Sequence, residues 1–385
     1  MEKFADRQNH STPLLKPSVN RNSLKRALVA AAVLCAVLLG LVMLLLIGVE
    51  TGAVALLTGL VFATLPVPVY VLLLLWIDRY EAEPTWMLAT AFFWGALVAV
   101  FIAYVLNTAG SLIVYLITNN ENAGKIFGTV VSAPVVEEIS KGLVVLLLFF
   151  KKDEFDDVVD GIVYAGMVGL GFAMTENIQY YGNAALAGSR EDLTGTLILR
   201  GALSPFLHPL CTSMTGIALG LARQSSKRFV KLLVPVFGLA LAITLHATWN
   251  AAAMLLGGAG FLLIYFLVML PVFVATLVTV FFALRREGRI VREQLLCDLQ
   301  SGVFTAEEYQ CLCSVRGRLG ASLRALRSGG FRDWHARARF NQTASELAFH
   351  RHRVAAGIYT SDHVAHEREA AYLQLLRDLQ ERLRE

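Results

Sequence analysis

Long apolar runs, separated by short polar stretches, dominate the chain from about residue 27 to about residue 283. A run of about 20 apolar residues is long enough to cross a bilayer as a helix. Eight such segments can be marked, at residues 27–49, 52–77, 85–108, 127–150, 157–181, 196–222, 229–255 and 259–283. The pattern therefore predicts an all-α, polytopic membrane protein with about eight transmembrane helices.

The two ends of the chain are polar, although the whole sequence is 56% hydrophobic and only 17% charged. A typical soluble domain has about 25% charged residues. The predicted organisation is a polar N-terminal segment 1–26, a transmembrane core 27–283 and a basic helical tail 284–385. The tail's histidines alternate with arginines, which repel a metal cation, so we expect the tail to dock a cytoplasmic partner instead of binding a metal.

Basic residues are distributed unevenly between the loops. The N-terminal segment is rich in lysine and arginine, and loops predicted on its side contain Arg79, Lys151 and Arg223, whereas the opposite loops contain only Lys125 and Arg190. Because cytoplasmic loops carry an excess of such residues, we expect a multi-pass protein of the cell membrane with both termini cytoplasmic. The mild net charge of +4 gives no indication of nucleic-acid binding.

Four of the predicted helices carry polar side chains that are costly in a bilayer and that by default mark function. The rise of about 1.5 Å per residue places the strongest of them in one layer, between the midplane and the outer leaflet. The candidates are Glu137, Glu138 and Lys141 on the fourth helix, Glu176 and Asn177 on the fifth, His208 on the sixth, and His246 and Asn250 on the seventh.

Each of these residues also has a structural interpretation. Lys141 could form an ion pair with Glu137 or Glu138 on the same helix, and either histidine could form a hydrogen bond between helices. One lysine can hardly neutralise two adjacent glutamates that point to different faces, however. The two histidines are also the only ones in the membrane region, and they share its polar layer. A common polar cavity is therefore the favoured interpretation.

Peptide hydrolysis suits this set of side chains. A glutamate can take a proton from the attacking water, and histidines with a further carboxylate can stabilise an oxyanion or bind Zn²⁺. The same groups could relay protons in a proton-coupled transporter or channel, and a noncatalytic scaffold that acts through its tail is a third possibility. Broken helices and inverted repeats are typical of transporters, and neither is evident in the sequence.

At these positions the chain resembles the PrsW family of intramembrane proteases, which is related to the CAAX prenyl endopeptidases and the bacterial immunity-protein-type proteases. The family pattern contains a Glu-Glu-x-x-Lys helix, then Phe-x-x-x-Glu, then histidine-bearing helices, and the wider group has His-x-x-x-Asn. These elements correspond here to Glu137-Glu138-Ile-Ser-Lys141, Phe172-Ala-Met-Thr-Glu176, His208 and His246-Ala-Thr-Trp-Asn250.

The family often has aspartate four residues after a histidine, but this chain has Thr212 and Asn250 at those positions. Which histidine has the family role is therefore open. The resemblance implies an endopeptidase that cleaves membrane-anchored proteins in the lipid bilayer, and one family member is associated with an anti-sigma factor.

Our hypothesis for the roles takes Glu137, or else Glu138, as the general base. Glu176, His208 and His246 are then expected to bind Zn²⁺, or to orient water and stabilise the oxyanion without a metal. Lys141, Asn177 and Asn250 are expected to support them.

Overall fold

The structure, a computed structural model, describes residues 21–152, 154–355, 357 and 362–384, so most of the predicted segment 1–26 lies outside the described residues. The described residues form helices and connecting loops, with no strand, as predicted. The helices are α1 (Arg21–Thr51), α2 (Ala53–Ile77), α3 (Thr85–Thr118), α4 (121–149), α5 (Val158–Leu186), α6 (190–203), α7 (Leu207–Gln224), α8 (Arg228–Leu255), α9 (Gly257–Gln300), α10 (Ala306–Leu312), α11 (Val315–Ala355) and α12 (Asp362–Arg384).

Six helices in the described part of the chain are long and apolar enough to cross a membrane, namely α1, α2, α3, α5, α8 and α9. The sequence predicted about eight spans. The two further segments correspond to α4 and to α6 together with α7, and both contain the polar residues of interest, which lower their hydropathy. Helix α7 is buried along most of its length. The chain is thus a multi-pass membrane protein whose most polar helices lie among the others.

Helix α5 lies at the centre of the bundle, and its residues are almost continuously buried from Val158 to Ala173. Glycines permit its close contacts with neighbouring helices, as is common in membrane bundles. A Cβ atom on Gly169 would lie 2.6 Å from the backbone nitrogen of Pro209 on α7, and one on Gly171 would lie 2.0 Å from the carbonyl oxygen of Phe92 on α3. The contact at Gly169 fixes the beginning of α7 against α5.

A break at residues 204–206 separates α6 from α7, where the sequence predicted one helix over 196–222. The physical reason is Pro205, because a proline disfavours the helical conformation of the residue before it. Ser204 accordingly has φ −128° and ψ 32°. Pro209 is tolerated because it lies in the first turn of α7. The segment predicted as one helix is therefore two, and His208 lies at the start of the second.

The tail is continuous with the membrane core, since α9 passes through position 284 as one helix. Its later helices fold back and share a hydrophobic core with the end of the bundle, in which Phe340 and Leu376 pack with Tyr80 and Val158. The Arg353 guanidinium also pairs with Glu81 at 2.5 Å and with Asp156 at 3.0 Å. The tail is thus packed against the loops that precede α3 and α5.

Candidate active site

Four helices bring the predicted polar residues together at one buried place. Helix α4 supplies Glu137, Glu138 and Lys141, and α5, α7 and α8 supply one residue each, Glu176, His208 and His246. A π-helical turn at Phe127–Ser132 precedes the α-helical part of α4, and such turns are frequent at functional sites. Successive glutamates on a helix point about 100° apart, so their surroundings differ.

Glu138 is completely buried, and both of its carboxylate oxygens have partners. Oε1 accepts hydrogen bonds from the Lys141 ammonium at 2.6 Å and from His246 Nδ1 at 2.9 Å. Oε2 accepts a hydrogen bond from the Thr212 hydroxyl at 2.9 Å. Because a buried charge is tolerated only when it is paired and hydrogen-bonded, Glu138 is a fixed structural anion at this position.

Glu176 is held by a cation that the sequence analysis did not assign to the site. Its Oε2 accepts hydrogen bonds from Arg200 on α6 at 2.5 Å and from His208 Nε2 at 2.8 Å. The same guanidinium contacts Asn177 Oδ1 at 3.4 Å and stacks on the Tyr180 ring, 3.4 Å from its centroid. Arg200 therefore orients the carboxylate that binds the far nitrogen of His208.

Glu137 differs from its neighbours because its buried Oε2 has no hydrogen-bond partner in the structure. Three nitrogens surround this oxygen at distances too long for direct hydrogen bonds. They are Lys141 Nζ at 3.7 Å, His246 Nε2 at 3.8 Å and His208 Nδ1 at 3.9 Å. The arrangement leaves one reactive carboxylate oxygen facing two imidazoles and an ammonium group.

The hydrogen bonds determine which ring nitrogens carry protons. A carboxylate only accepts hydrogen bonds and a lysine ammonium only donates them. His246 therefore donates from Nδ1 to Glu138, and its Nε2 lies 3.8 Å from Glu137 Oε2. The Lys141 ammonium lies 3.1 Å from His208 Nδ1, so that nitrogen accepts, and Nε2 donates to Glu176. The inner ring nitrogens of both histidines, His208 Nδ1 and His246 Nε2, thus lie on the side of Glu137.

This donor set fits a metal ion. Glu137, His208 and His246 each offer one ligand atom, and these atoms lie within 4.8 Å of one another. Tetrahedral Zn²⁺ with bonds of 2.0–2.1 Å would separate its ligand atoms by about 3.4 Å, so the contacts of 3.8 and 3.9 Å need only a small contraction. A carboxylate behind each histidine, Glu138 or Glu176, is the usual support of histidine metal ligands.

The expected ligand set of Glu176, His208 and His246 differs from this group in one residue. Glu176 lies behind His208 and binds its far nitrogen, whereas Glu137 faces the inner nitrogens of both histidines. Asn250 forms no hydrogen bond with these residues. Its side chain donates a hydrogen bond to the Thr129 carbonyl in the π-helical turn, at 2.9 Å.

The sequence analysis did not assign two of the site's neighbours, Arg200 and Thr212, to the site. Arg200 was visible as a charge in an apolar segment, and Thr212 as the residue four positions after His208.

Comparisons with known proteins identify the family of this chain. A model of a family described as PrsW family intramembrane metalloprotease matches residues 83–276. The protein named Protease PrsW from Geobacillus kaustophilus is 35% identical over 154 residues, which is 39% of this chain and 60% of that relative. Protease PrsW from Bacillus subtilis is 31% identical over 154 residues, 39% of this chain and 62% of the relative. The match therefore covers about three fifths of these curated relatives. No solved structure matches the chain.

Proposed function

This chain belongs to the PrsW family of intramembrane metalloproteases, and from that membership we propose that it is an endopeptidase that cleaves membrane-anchored proteins within its helix bundle. The observation that supports this activity most directly is the unpartnered Oε2 of Glu137, which faces one ring nitrogen of His208 and one of His246. An anti-sigma factor with a membrane anchor is one substrate of the proposed class.

We assign the general base to Glu137. Its Oε2 takes a proton from a water molecule while the water oxygen attacks the scissile carbonyl carbon. The same carboxyl then gives that proton to the departing amine nitrogen, so the carboxylate is regenerated. Glu138 is poorly suited to this task because its two oxygens already bind Lys141, His246 and Thr212.

The surrounding cation and imidazoles have complementary roles in the proposal. The Lys141 ammonium lies 3.7 Å from Glu137 Oε2, where it can donate to the oxyanion that forms on the substrate carbonyl. Preorganised donors of this kind provide much of the rate enhancement in acyl transfer. In this proposal His246 Nε2, which lies 3.8 Å from Glu137 Oε2, accepts a hydrogen of the attacking water and so orients it.

A metal ion would be held by Glu137, His208 and His246, a ligand type that suits Zn²⁺. Glu137 Oε2 would then be a ligand, so its role as general base applies to the site without the ion. When bound, such an ion supplies a Lewis acid and lowers the pKa of its water. The Lys141 ammonium competes with a metal ion for His208 Nδ1, because it already donates a hydrogen bond to that nitrogen. Glu138 and Glu176 keep the two imidazoles in the tautomers that metal binding requires.

We propose that the site lies in the outer half of the cell membrane, with both termini cytoplasmic. Glu137 lies 12 residues before Phe149 and His246 lies 18 residues after Arg228. At 1.5 Å per residue these positions are about 18 and 27 Å from the helix ends beside the tail. The hydrocarbon layer is about 30 Å thick, so this depth favours cleavage beyond the midplane.

A proton-coupled transporter is the second candidate, because the helix break at residues 204–206 beside His208 is a feature of transporter sites. An experiment that separates the two functions places the full chain in vesicles with a panel of single-span membrane proteins. Mass spectrometry detects cleavage fragments, and a dye inside the vesicles detects proton movement.

The wild-type chain should produce fragments, and the double variant His208→Gln/His246→Gln should produce none. A matched double variant at two exposed tail histidines, His335→Gln/His363→Gln, should cleave like the wild type. Proton uptake without fragments, lost in the first double variant and kept in the second, would replace the protease with the transporter.

A further inference from the structure

A large cavity of about 1240 Å³ lies between α9 on one side and α2, α5 and α7 on the other. The residues that form the proposed reaction centre do not line it. Through the membrane region its walls are mostly apolar, and they include Leu73, Leu170, Phe206, Leu277 and Phe281. Its size exceeds the range of about 300–1,000 Å³ that is usual for small-molecule pockets, so it can accept a long apolar ligand.

Five arginines surround one end of this cavity, and they come from three separate parts of the chain. They are Arg79 after α2, Arg285, Arg289 and Arg292 on α9, and Arg316 in the tail. The three on α9 follow each other at four and three residues, so they lie on one helix face. None of the five forms a salt bridge with a carboxylate of the described residues.

The apolar and basic parts follow each other along the same face of α9 at lengths that match one leaflet of a bilayer. The apolar lining runs from Phe273 to Leu284, which is about 17 Å at 1.5 Å per residue. Half of the hydrocarbon layer is about 15 Å. The arginines begin directly afterwards, at the depth of the lipid headgroups. Trp76 and Tyr80 line the same level, as interfacial aromatic residues do.

We propose that this cavity binds an anionic glycerophospholipid. Its acyl chains lie between α9 and α2, and its phosphate lies among the five arginines. Charge complementarity selects this occupant, because a neighbouring apolar helix would leave five guanidinium groups without an anion. Since Arg79, Arg289 and Arg316 belong to a loop, a membrane helix and the tail, a single lipid joins the tail to the membrane core. The proposal is independent of the proteolytic activity.

The first test measures the thermal unfolding midpoint of the full chain in an uncharged detergent as lipid is added. Dioleoylphosphatidylglycerol should raise the midpoint in a saturable way, because a ligand that binds only the folded state stabilises it. Dioleoylphosphatidylcholine should raise it much less.

The triple variant Arg285→Gln/Arg289→Gln/Arg292→Gln should need about a hundredfold more phosphatidylglycerol for half of the shift. This ratio corresponds to about 1 kcal/mol for each arginine. A matched triple variant at exposed tail arginines outside the cavity, Arg327→Gln/Arg332→Gln/Arg377→Gln, should respond like the wild type. Equal responses to the two lipids, or an unchanged response of the first triple variant, would overturn the proposal.

A second test does not depend on the folding of the arginine variants. A photo-reactive benzoylphenylalanine placed at Leu277, which lines the apolar part of the cavity, is activated in vesicles that contain equal amounts of the two lipids and a single-span membrane protein. Mass spectrometry should find mainly phosphatidylglycerol attached to this position. Attachment mainly to the single-span protein or to a second copy of the chain would show that the cavity is a docking groove for a helix and would refute the lipid proposal.

Discussion

At the scale of single residues, the two adjacent glutamates of α4 have opposite environments. Glu138 has three donors around its carboxylate, and Lys141 and His246 in turn depend on it. Glu137 turns Oε2 into the gap between the histidines and makes no hydrogen bond with that atom. Glu138 therefore binds the surrounding side chains, whereas Glu137 keeps one carboxylate oxygen without a hydrogen-bond partner.

This difference leads to an expectation for stability. Glu138→Gln removes the anion that neutralises the buried ammonium of Lys141, and breaking a buried ion pair in this way typically costs about 3–5 kcal/mol. Glu137→Gln removes no hydrogen bond of Oε2 and should change the unfolding free energy little. Denaturation of the two variants in the same detergent compares them, and equal losses of stability would show that the two glutamates share one structural role.

The polar layer was predictable from the sequence because a charged side chain is costly in a bilayer and therefore marks a paired or functional position. Glu137, Glu138, Lys141, His208 and His246 were all identified in this way, and the structure brings them together. The different roles of Glu137 and Glu138 were not predictable, because they depend on which carboxylate oxygens have hydrogen-bond partners in the folded protein. Arg200 illustrates this, since only the packing of α6 beside α5 shows that it reaches Glu176.

At the scale of helices, the contact between α5 and α7 sets the position of His208. Gly169 faces the backbone of residues 208 and 209 with no room for a side chain, since a Cβ would lie 2.6 Å from Pro209 N. The sequence identified both segments as helical, but it did not reveal the break at residues 204–206. Pro205 and Pro209 were treated as parts of one apolar run, although the first of them ends helical geometry at Ser204.

Gly169→Ala should therefore displace the start of α7, lower the unfolding midpoint and reduce proteolysis. Gly195→Ala is a matched control on α6, because a Cβ there meets no atom within 4 Å. Replacement of an exposed helical glycine by alanine should be neutral or stabilising by up to about 1 kcal/mol. Both variants are compared by thermal unfolding and by cleavage rate. Wild-type behaviour of Gly169→Ala would mean that α7 has more freedom than this packing implies.

At the scale of the whole molecule, the tail covers an acidic loop that precedes α3. Burial raises the pKa of Asp78 to about 8 and that of Glu83 to about 9. The unfolded chain ionises such carboxyls near pH 4. Between about pH 4 and 9 the folded protein therefore binds more protons than the unfolded chain, so the free energy of unfolding falls as pH rises.

We accordingly expect the thermal unfolding midpoint to be highest near pH 4 and to decrease towards pH 9. Asp78→Asn should flatten this dependence, because asparagine stays neutral and its carbonyl can still accept the Glu83 N–H that Asp78 binds at 2.8 Å. Replacement of the exposed Glu293 on α9 by glutamine should leave the pH profile unchanged. A midpoint that rises with pH would contradict the burial of these two carboxyls.

The most direct test of the proposed mechanism is the rate at which the Glu137→Gln variant cleaves a single-span membrane substrate in vesicles. Glutamine keeps the size of the side chain but cannot take a proton from water, and loss of a general base typically costs about 10²–10⁴ in rate. We expect a loss of this size with an unfolding midpoint close to that of the wild type. The control is Glu50→Gln, because Glu50 lies outside the site, where it accepts hydrogen bonds from Tyr104 and Gln179. This variant should cleave at the wild-type rate. Wild-type cleavage by a correctly folded Glu137→Gln protein would contradict the assignment of Glu137 as the general base.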